Sequence, residues 1–175
     1  MMYPFLPPDP GTPRLCHVVD SPIGALMLTG DGHAVTGLYM LDGGGRPPPG
    51  HAGFTPDPGA FAEATAQLAG YFAGELTEFR LPLAPSGTAF QLAVWAELTK
   101  IPYGSTASYG TIARALGKSP VAARAVGAAN GANPIAVIVP CHRVIGSDGT
   151  LTGYGGGLGR KELLLRLEGA SPTLW

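Results

Sequence analysis

Cysteine is scarce in this chain: Cys16 and Cys141 are its two thiols in 175 residues. That excludes a disulfide-rich scaffold. The count allows a Cys16–Cys141 bridge, but the missing export signal favours a reducing compartment in which both thiols stay free. Cys16 and His17 have only His33 and His51 as further partners, at no recognisable four-ligand spacing. Neither a structural metal nor a cofactor is therefore expected. Long apolar runs are absent too, and none approaches the roughly 20 residues that a membrane span needs. The N-terminus, MMYPFLPPDPGTPR, lacks a basic stretch followed by an apolar one, so it does not read as a secretory signal. A cytoplasmic protein with no membrane partner is expected.

Charge is sparse as well, at 13% of residues with a net of −1. Its distribution is uneven. Residues 1–100 carry four Lys/Arg against nine Asp/Glu, and residues 101–175 carry seven against three. A basic second half beside an acidic first half is the asymmetry expected where one half meets a polyanion, although solvated surface charge explains an excess of this size equally well.

What the chain has in plenty is hydrophobic residues, 45%, with 27 Gly and 18 Pro. The proline-rich residues 1–14 read as a flexible arm. From Leu15 to Met40, short β-forming runs alternate with Gly, Asp and Pro, as in an antiparallel meander. Asp42 to Gly59 is dominated by Gly and Pro and predicts a long loop. Phe61 to Leu76 has helical periodicity, with Phe61, Ala64, Leu68, Tyr71 and Phe72 on one face. Residues 82–87 form a connector between an N-terminal domain (15–81) and a C-terminal one (88–175). In the second half Thr88 is placed to cap the helix AFQLAVWAELTK, and Ser108 the helix YGTIARAL, which Gly117 ends. Ser119-Pro120 opens a further helix, PVAARAVGAANG. Two short helices joined by a tight Gly-containing turn predict a helix-turn-helix. A last helix, RKELLLRLEG, has Leu163, Leu164 and Leu167 as its apolar stripe. The predicted architecture is α+β: a small β-rich N-terminal domain and a mostly helical, winged-helix-like C-terminal domain.

The chemistry gathers at IAVIVPCHRVIG, Ile135 to Gly146. An apolar run that reads as a buried strand ends at Pro140, and a cysteine, a histidine and an arginine follow. A lone cysteine there is most often a small buried hydrophobe. A purely structural strand end, however, has no use for three polar groups. Cysteine reacts as its thiolate, and a free thiol with a pKa of about 8.5 is only a few per cent ionised near neutrality. It needs a base or a cation nearby. His142 is adjacent, but neighbours in an extended strand point to opposite faces, so contact requires a turn after Pro140 or a bridging water.

PCHRV, preceded by ARAVGAANGANP and followed by IGSDGTLTGYGGGLG and KELLLRLEG, resembles the O6-alkylguanine-DNA alkyltransferases, and in particular their bacterial stand-alone form. The likeness is strong over residues 82–170 and extends weakly to residues 17–40 through DSPIG. It implies irreversible, stoichiometric transfer of an alkyl group from O6-alkylguanine in double-stranded DNA to Cys141, with O4-alkylthymine as a second candidate substrate. It implies His142 as proton acceptor through a water, with Glu168 as the carboxylate orienting it. Asn133 ties the helix-turn-helix to the active-site turn, and Tyr109 donates to the ring of the flipped base. Read without the family, Glu168 is an exposed helix-end residue, Asn133 a helix stop and Tyr109 half-buried packing.

Tyr154, Gly155 and Gly156 correspond to the loop wall on the base, and the Val144 carbonyl to the reader of the guanine amino group. The family often has serine where Gly155 stands, which implies a roomier pocket. Arg124 corresponds to the arginine that fills the space of the extruded nucleotide. Its neighbours Ala122, Ala123 and Gly127, with Ser119 at the helix start, are small enough for close approach to the minor groove. The resemblance further implies a monomer, with cooperative assembly along DNA as a further state. Three other readings remain: a lesion-binding relative that cannot transfer, from which the presence of Cys141 departs; a cysteine hydrolase, which would need an oxyanion hole; and a simple helix-turn-helix regulator, which leaves PCHRV without a role.

Overall fold

A computed structural model describes residues 4–41 and 50–170. The chain divides into two units. One runs to Ser86 and takes in Pro134–Ile138; the other comprises Gly87–Asn133 and the chain from Val139 onward.

The first unit is built on a sheet of β1 (Leu15–Val19), β2 (Leu26–Gly30), β3 (Val35–Met40) and β4 (Thr55–Pro56), in the order β3-β2-β1-β4. The first three strands form the antiparallel meander that the sequence predicts. Every residue of β2 is buried, as a central strand covered on both faces requires. Asp31 closes the β2–β3 turn by accepting from the amides of His33 and Ala34. Helix α1 (Ala62–Phe72) buries Ala64, Leu68 and Tyr71, and Phe61 is buried just ahead of it. It stops at Phe72 instead of Leu76. Gly74 takes a left-handed φ of 75°, and the Glu75 and Gly74 amides turn back onto the carbonyls of Gly70 and Tyr71.

The expected loop over 42–59 differs in its second half. Residues 42–49 lie outside the described residues, but Thr55 and Pro56 pair in parallel with β1. Two 3₁₀ turns, His51–Gly53 and Pro58–Phe61, flank that pair. The Arg14 guanidinium lies 4.4 Å from the centre of the Phe54 ring, and Asp57 accepts from the Ala60 amide. Local caps and one cation–π contact thus order a stretch whose Gly/Pro content alone predicts none. In the arm, Leu6 donates to the Leu83 carbonyl at 2.8 Å. In the connector, Leu83 and Ala84 are buried, and Leu83 bridges to Val35 of β3.

The apolar run 135–139 is not a strand. It touches a sheet at one point, where Leu38 donates to the Pro134 carbonyl and accepts from Ala136. Beyond that point the backbone folds on itself. Ile138 donates to Ala136 across Val137, whose φ is 70°. Cys141 donates to Val139 across Pro140, at φ −82° and ψ 63°. Both are three-residue γ-turns, the second in the common inverse form and the first in the strained left-handed form. Val137 is β-branched, so this conformation costs on the order of 1–3 kcal/mol, and its surroundings must impose it. Ile135, Val137, Ile138 and Val139 are buried in turns, not in a ladder.

In the second unit α2 (Ala89–Leu98) starts at a capping box in which Thr88 and Gln91 satisfy each other's backbone amides. Trp95 on this helix is buried and donates its indole N–H to the Ala129 carbonyl at 2.8 Å. Helix α3 (Tyr109–Ala115) is capped by Ser108. A turn at Gly117 leads to a 3₁₀ turn, Pro120–Ala122, capped by Ser119, and on into α4 (Ala123–Gly131). These two helices are the predicted helix-turn-helix. Strands β5 (Ala107–Ser108) and β6 (Val144–Ile145) pair in parallel.

Helix α5 (Leu158–Leu167) corrects the expected stripe. Leu163 is 52% exposed, and the buried positions are Lys161, Leu164, Leu165 and, one residue past the helix, Glu168. They are spaced i, i+3, i+4, i+7, one helix face with a charge at each end. Among the described residues no helix is long and apolar enough to cross a membrane.

Candidate active site

The two γ-turns deliver the chain into a short 3₁₀ turn, Cys141–Arg143, whose three residues are all buried. Cys141 is 5% exposed and His142 is fully enclosed. This turn is what an extended strand lacks, since it brings consecutive polar side chains into one enclosed volume. It is pinned from α4 and from the residues just past it. Asn130 donates to the Cys141 carbonyl at 3.3 Å, and Asn133 donates to the Val139 carbonyl at 2.8 Å. Asn133 also hydrogen-bonds the thiol.

Glu168 lies on the buried face past α5. His142 Nε2 is 2.7 Å from its Oε1. Arg143 grips the same carboxylate with both arms, Nε to Oε2 at 2.8 Å and one terminal nitrogen to Oε1 at 3.0 Å. The Gly104 amide adds a bond to Oε2 at 3.3 Å. Gly104 has a φ of 74°, and a Cβ there would lie 2.9 Å from the Glu168 carbonyl oxygen. Glycine is required at that position. Arg143 also donates to the Ile101 carbonyl at 2.6 Å. Against an ionised Glu168, Nε2 of His142 carries the proton, and Nδ1 presents a lone pair. Nδ1 is buried and bonds to no described residue.

The electrostatics follow from burial first. Enclosure pushes the Cys141 thiol above its ordinary value; the Asn133 hydrogen bond and the Lys161 charge oppose that. Enclosure likewise lowers the pKa of His142, Glu168 raises it, and Arg143 and Lys161 lower it again. His142 is therefore a neutral base at neutral pH.

The remaining predicted residues fall into two places. Tyr109, at the start of α3, donates to the Thr152 carbonyl at 3.1 Å. Val144 follows the Cys141–Arg143 turn directly and is buried. Tyr154 and Gly156 are half-buried in the following loop, where a side chain at Gly155 would meet open space. Ser119 and Arg124 are exposed, Ala122, Ala123 and Gly127 partly so. Val121 is 87% exposed. Together Val121, Arg124, Ala125 and Ala128 make an outward stripe, opposite the buried Val126, Ala129 and Asn130. Among the described residues no His/Cys/Asp/Glu cluster could hold a metal ion.

Sequence reasoning missed three contributors. Asn130 is hidden beside Asn133 in GAANGANP. Arg143 is noticed as a cation but not as the partner of Glu168. Lys161 is not singled out, although its spacing from Leu164, Leu165 and Glu168 carried the signal.

A family model described as "6-O-methylguanine DNA methyltransferase, DNA binding domain" matches residues 89–170. A second, for the ribonuclease-like domain of the same methyltransferase, matches residues 15–85. The methylated-DNA–protein-cysteine methyltransferase of Mycobacterium bovis is 60% identical over 150 residues, covering 86% of this chain and 89% of its own. The crystal structure of the Mycobacterium tuberculosis O6-methylguanine methyltransferase superposes with a TM-score of 0.83 at 55% identity, covering 91% of this chain and 96% of that one. That of Mycobacterium tuberculosis OGT in complex with DNA superposes at 0.82 and 57% identity, covering 90% and 94%. With both domain models matched in order and a relative this similar along most of both chains, the protein belongs to the methylated-DNA–protein-cysteine (O6-methylguanine-DNA) methyltransferase family.

Proposed function

We propose that this protein repairs alkylated DNA by direct reversal, moving the alkyl group of O6-alkylguanine onto Cys141. The observation that carries the assignment of residues is the enclosed set Cys141–His142–Glu168–Arg143, with a lone pair at His142 Nδ1 left to take a proton. The proton of Cys141 passes through a water to Nδ1. The thiolate sulfur attacks the saturated carbon, the S–C bond forms, the bond from carbon to O6 breaks, and its electron pair leaves on the purine. Tyr109, on releasing the Thr152 carbonyl, supplies a hydrogen-bond donor to that purine, and the proton taken from sulfur ends on the purine. A thioether is not reversed by any group in the site, so each molecule acts once.

The protein binds DNA through its helix-turn-helix. We assign the approach to the minor groove, because the outward stripe of α4 offers small side chains around Arg124, which suits a narrow groove. O4-alkylthymine is a second candidate substrate. Gly155, beside open space, favours tolerance of larger alkyl groups. We also propose that the protein acts as a monomer in the cytoplasm, with assembly along DNA as a concentration-dependent addition. We also propose the division into 15–81 and 88–175, joined by 82–87; the unit boundary between Ser86 and Gly87 supports its position, while 82–86 and Pro134–Ile138 group with the first unit.

The direct test is intact mass and peptide mapping after incubation with a duplex bearing one O6-methylguanine. One added methyl on the Cys141 peptide, saturating at one per protein, is the expected result. Binding with no mass change in freshly reduced protein would favour a lesion-recognition role instead. Arg124 has its own test. Extruding a base costs a few kcal/mol. Arg124→Ala should therefore slow transfer from duplex DNA by about 10–100-fold, while transfer from the free O6-methylguanine base changes little. Equal losses on both substrates would remove Arg124 from the extrusion step.

A further inference from the structure

The side chain of Thr152 takes no part in the proton relay, yet both polar groups of this residue meet Tyr109. The Tyr109 hydroxyl donates to the Thr152 carbonyl at 3.1 Å, and the Thr152 hydroxyl donates back to the Tyr109 oxygen at 3.3 Å. Both are long for O–H···O bonds, as bonds of an open site are before substrate closes it. The Thr152 carbonyl has a second donor, the Lys161 ammonium at 2.9 Å. The tyrosine ring lies beside α4, where a Cβ on Gly127 would stand 3.7 Å from two of its carbons. We infer that Thr152 is a positioning residue for the transfer, its hydroxyl orienting and polarising Tyr109 toward the departing purine.

A phenol hydroxyl has one proton to give and lone pairs with which to accept. In the resting protein that proton is committed to the Thr152 carbonyl, so Tyr109 cannot serve the base until it lets go. Letting go strands nothing. The carbonyl keeps Lys161, and the cost of an unsatisfied acceptor is avoided. The hydroxyl can turn about its own C–O bond while the ring stays beside Gly127. The Thr152 hydroxyl meanwhile keeps donating to the Tyr109 oxygen. With the Thr152 proton on one side of that oxygen, the tyrosine's own proton is directed to the other. The result is a chain of donors from Thr152 to Tyr109 to the purine, in which each bond polarises the next. Tyr109 is then strongest as a donor when the purine takes up negative charge.

The role given to Thr152 rests on the repair reading, but it can fail alone. Thr152 is exposed, and valine keeps its shape and its backbone carbonyl while removing the hydroxyl. Two rates are followed on the Cys141 peptide: single-turnover transfer from the O6-methylguanine duplex, and alkylation by iodoacetamide. Iodide leaves without a hydrogen-bond donor, so the second rate reads the thiol and its base. Thr152→Val should slow transfer by about 5-fold, the usual weight of one hydrogen bond, and leave the iodoacetamide rate unchanged. In a Tyr109→Phe background the same substitution should cost less than about 2-fold, because the chain it feeds is already cut. Thr152→Ser should restore the wild-type rate. Equal losses in both rates, or the full loss repeated without the Tyr109 hydroxyl, would make Thr152 structural and overturn its role. Transfer by Thr152→Val at the wild-type rate would do the same. If Thr152→Val does not fold, Thr152→Ala enters the same comparison. Wild-type protein that reacts with iodoacetamide at Cys141 but takes nothing from the duplex overturns the repair reading itself, and the role of Thr152 with it.

Discussion

Serine in place of Cys141 is expected to reduce alkyl transfer by about 10⁴-fold while leaving the fold and DNA binding in place. An alcohol ionises far above the range of a thiol, whose ordinary value is about 8.5, so the ionised fraction falls by several powers of ten. The oxygen anion is more basic but harder and less polarisable than sulfur, so it recovers only part of that loss at a saturated carbon. The substitution is nearly isosteric in a buried turn, so stability should change little. Single-turnover transfer at saturating protein checks the rate, and a salt titration of duplex binding checks the control. Transfer within 100-fold of wild type would mean that another group accepts the alkyl.

Arg143→Met is expected to cost about 3–5 kcal/mol of stability, the usual result when one partner of a buried ion pair is removed and the other stays charged. Glu168 would keep His142 and the Gly104 amide, neither of which carries a charge at neutral pH. Its carboxylate would then pull a proton onto His142 and spoil the base. The double variant Arg143→Met/Glu168→Gln should be less damaging than the two single losses added together, because no bare charge is left inside. Urea denaturation of the four proteins in the cycle measures that coupling directly. A single-variant cost below about 1 kcal/mol would show that the pair is solvated and is not a fixture of the site.

The parts of the fold legible in the sequence are those set by contacts a few residues apart. Thr88 and Ser108 cap their helices as read, and Ser119, read as part of a helix start, caps a 3₁₀ turn, because a side-chain oxygen and an amide two or three residues on need no tertiary context. The chemistry of Cys141-His142-Arg143 could be read because three polar groups at the end of an apolar run have no packing role. The strand assigned to 135–139 failed for a related reason. Periodicity cannot separate a buried ladder from buried turns, and the γ-turn at Val137 opposes that residue's own preference. On α5, hydropathy sorts Lys161 and Glu168 to the surface, whereas both are buried and their partners lie more than seven residues away in sequence. β4 was invisible for want of length: two residues beside β1 make no pattern.

The Glu168 carboxylate has a further consequence for the direction of proton flow. Four donors converge on its two oxygens: His142 Nε2, two nitrogens of Arg143 and the Gly104 amide. A carboxylate offers about four lone-pair sites, so this one has no vacancy for a proton. In the transfer proposed above, a proton leaving Cys141 therefore has no place to go beyond the imidazole. Nor can it rest there for long, because an imidazolium would be a third buried cation beside Arg143 and Lys161. The residence of the proton on the protein is brief by construction, and the purine, where negative charge is appearing, is its outlet. Restored guanine then departs uncharged, and the site acts as a relay with no reservoir.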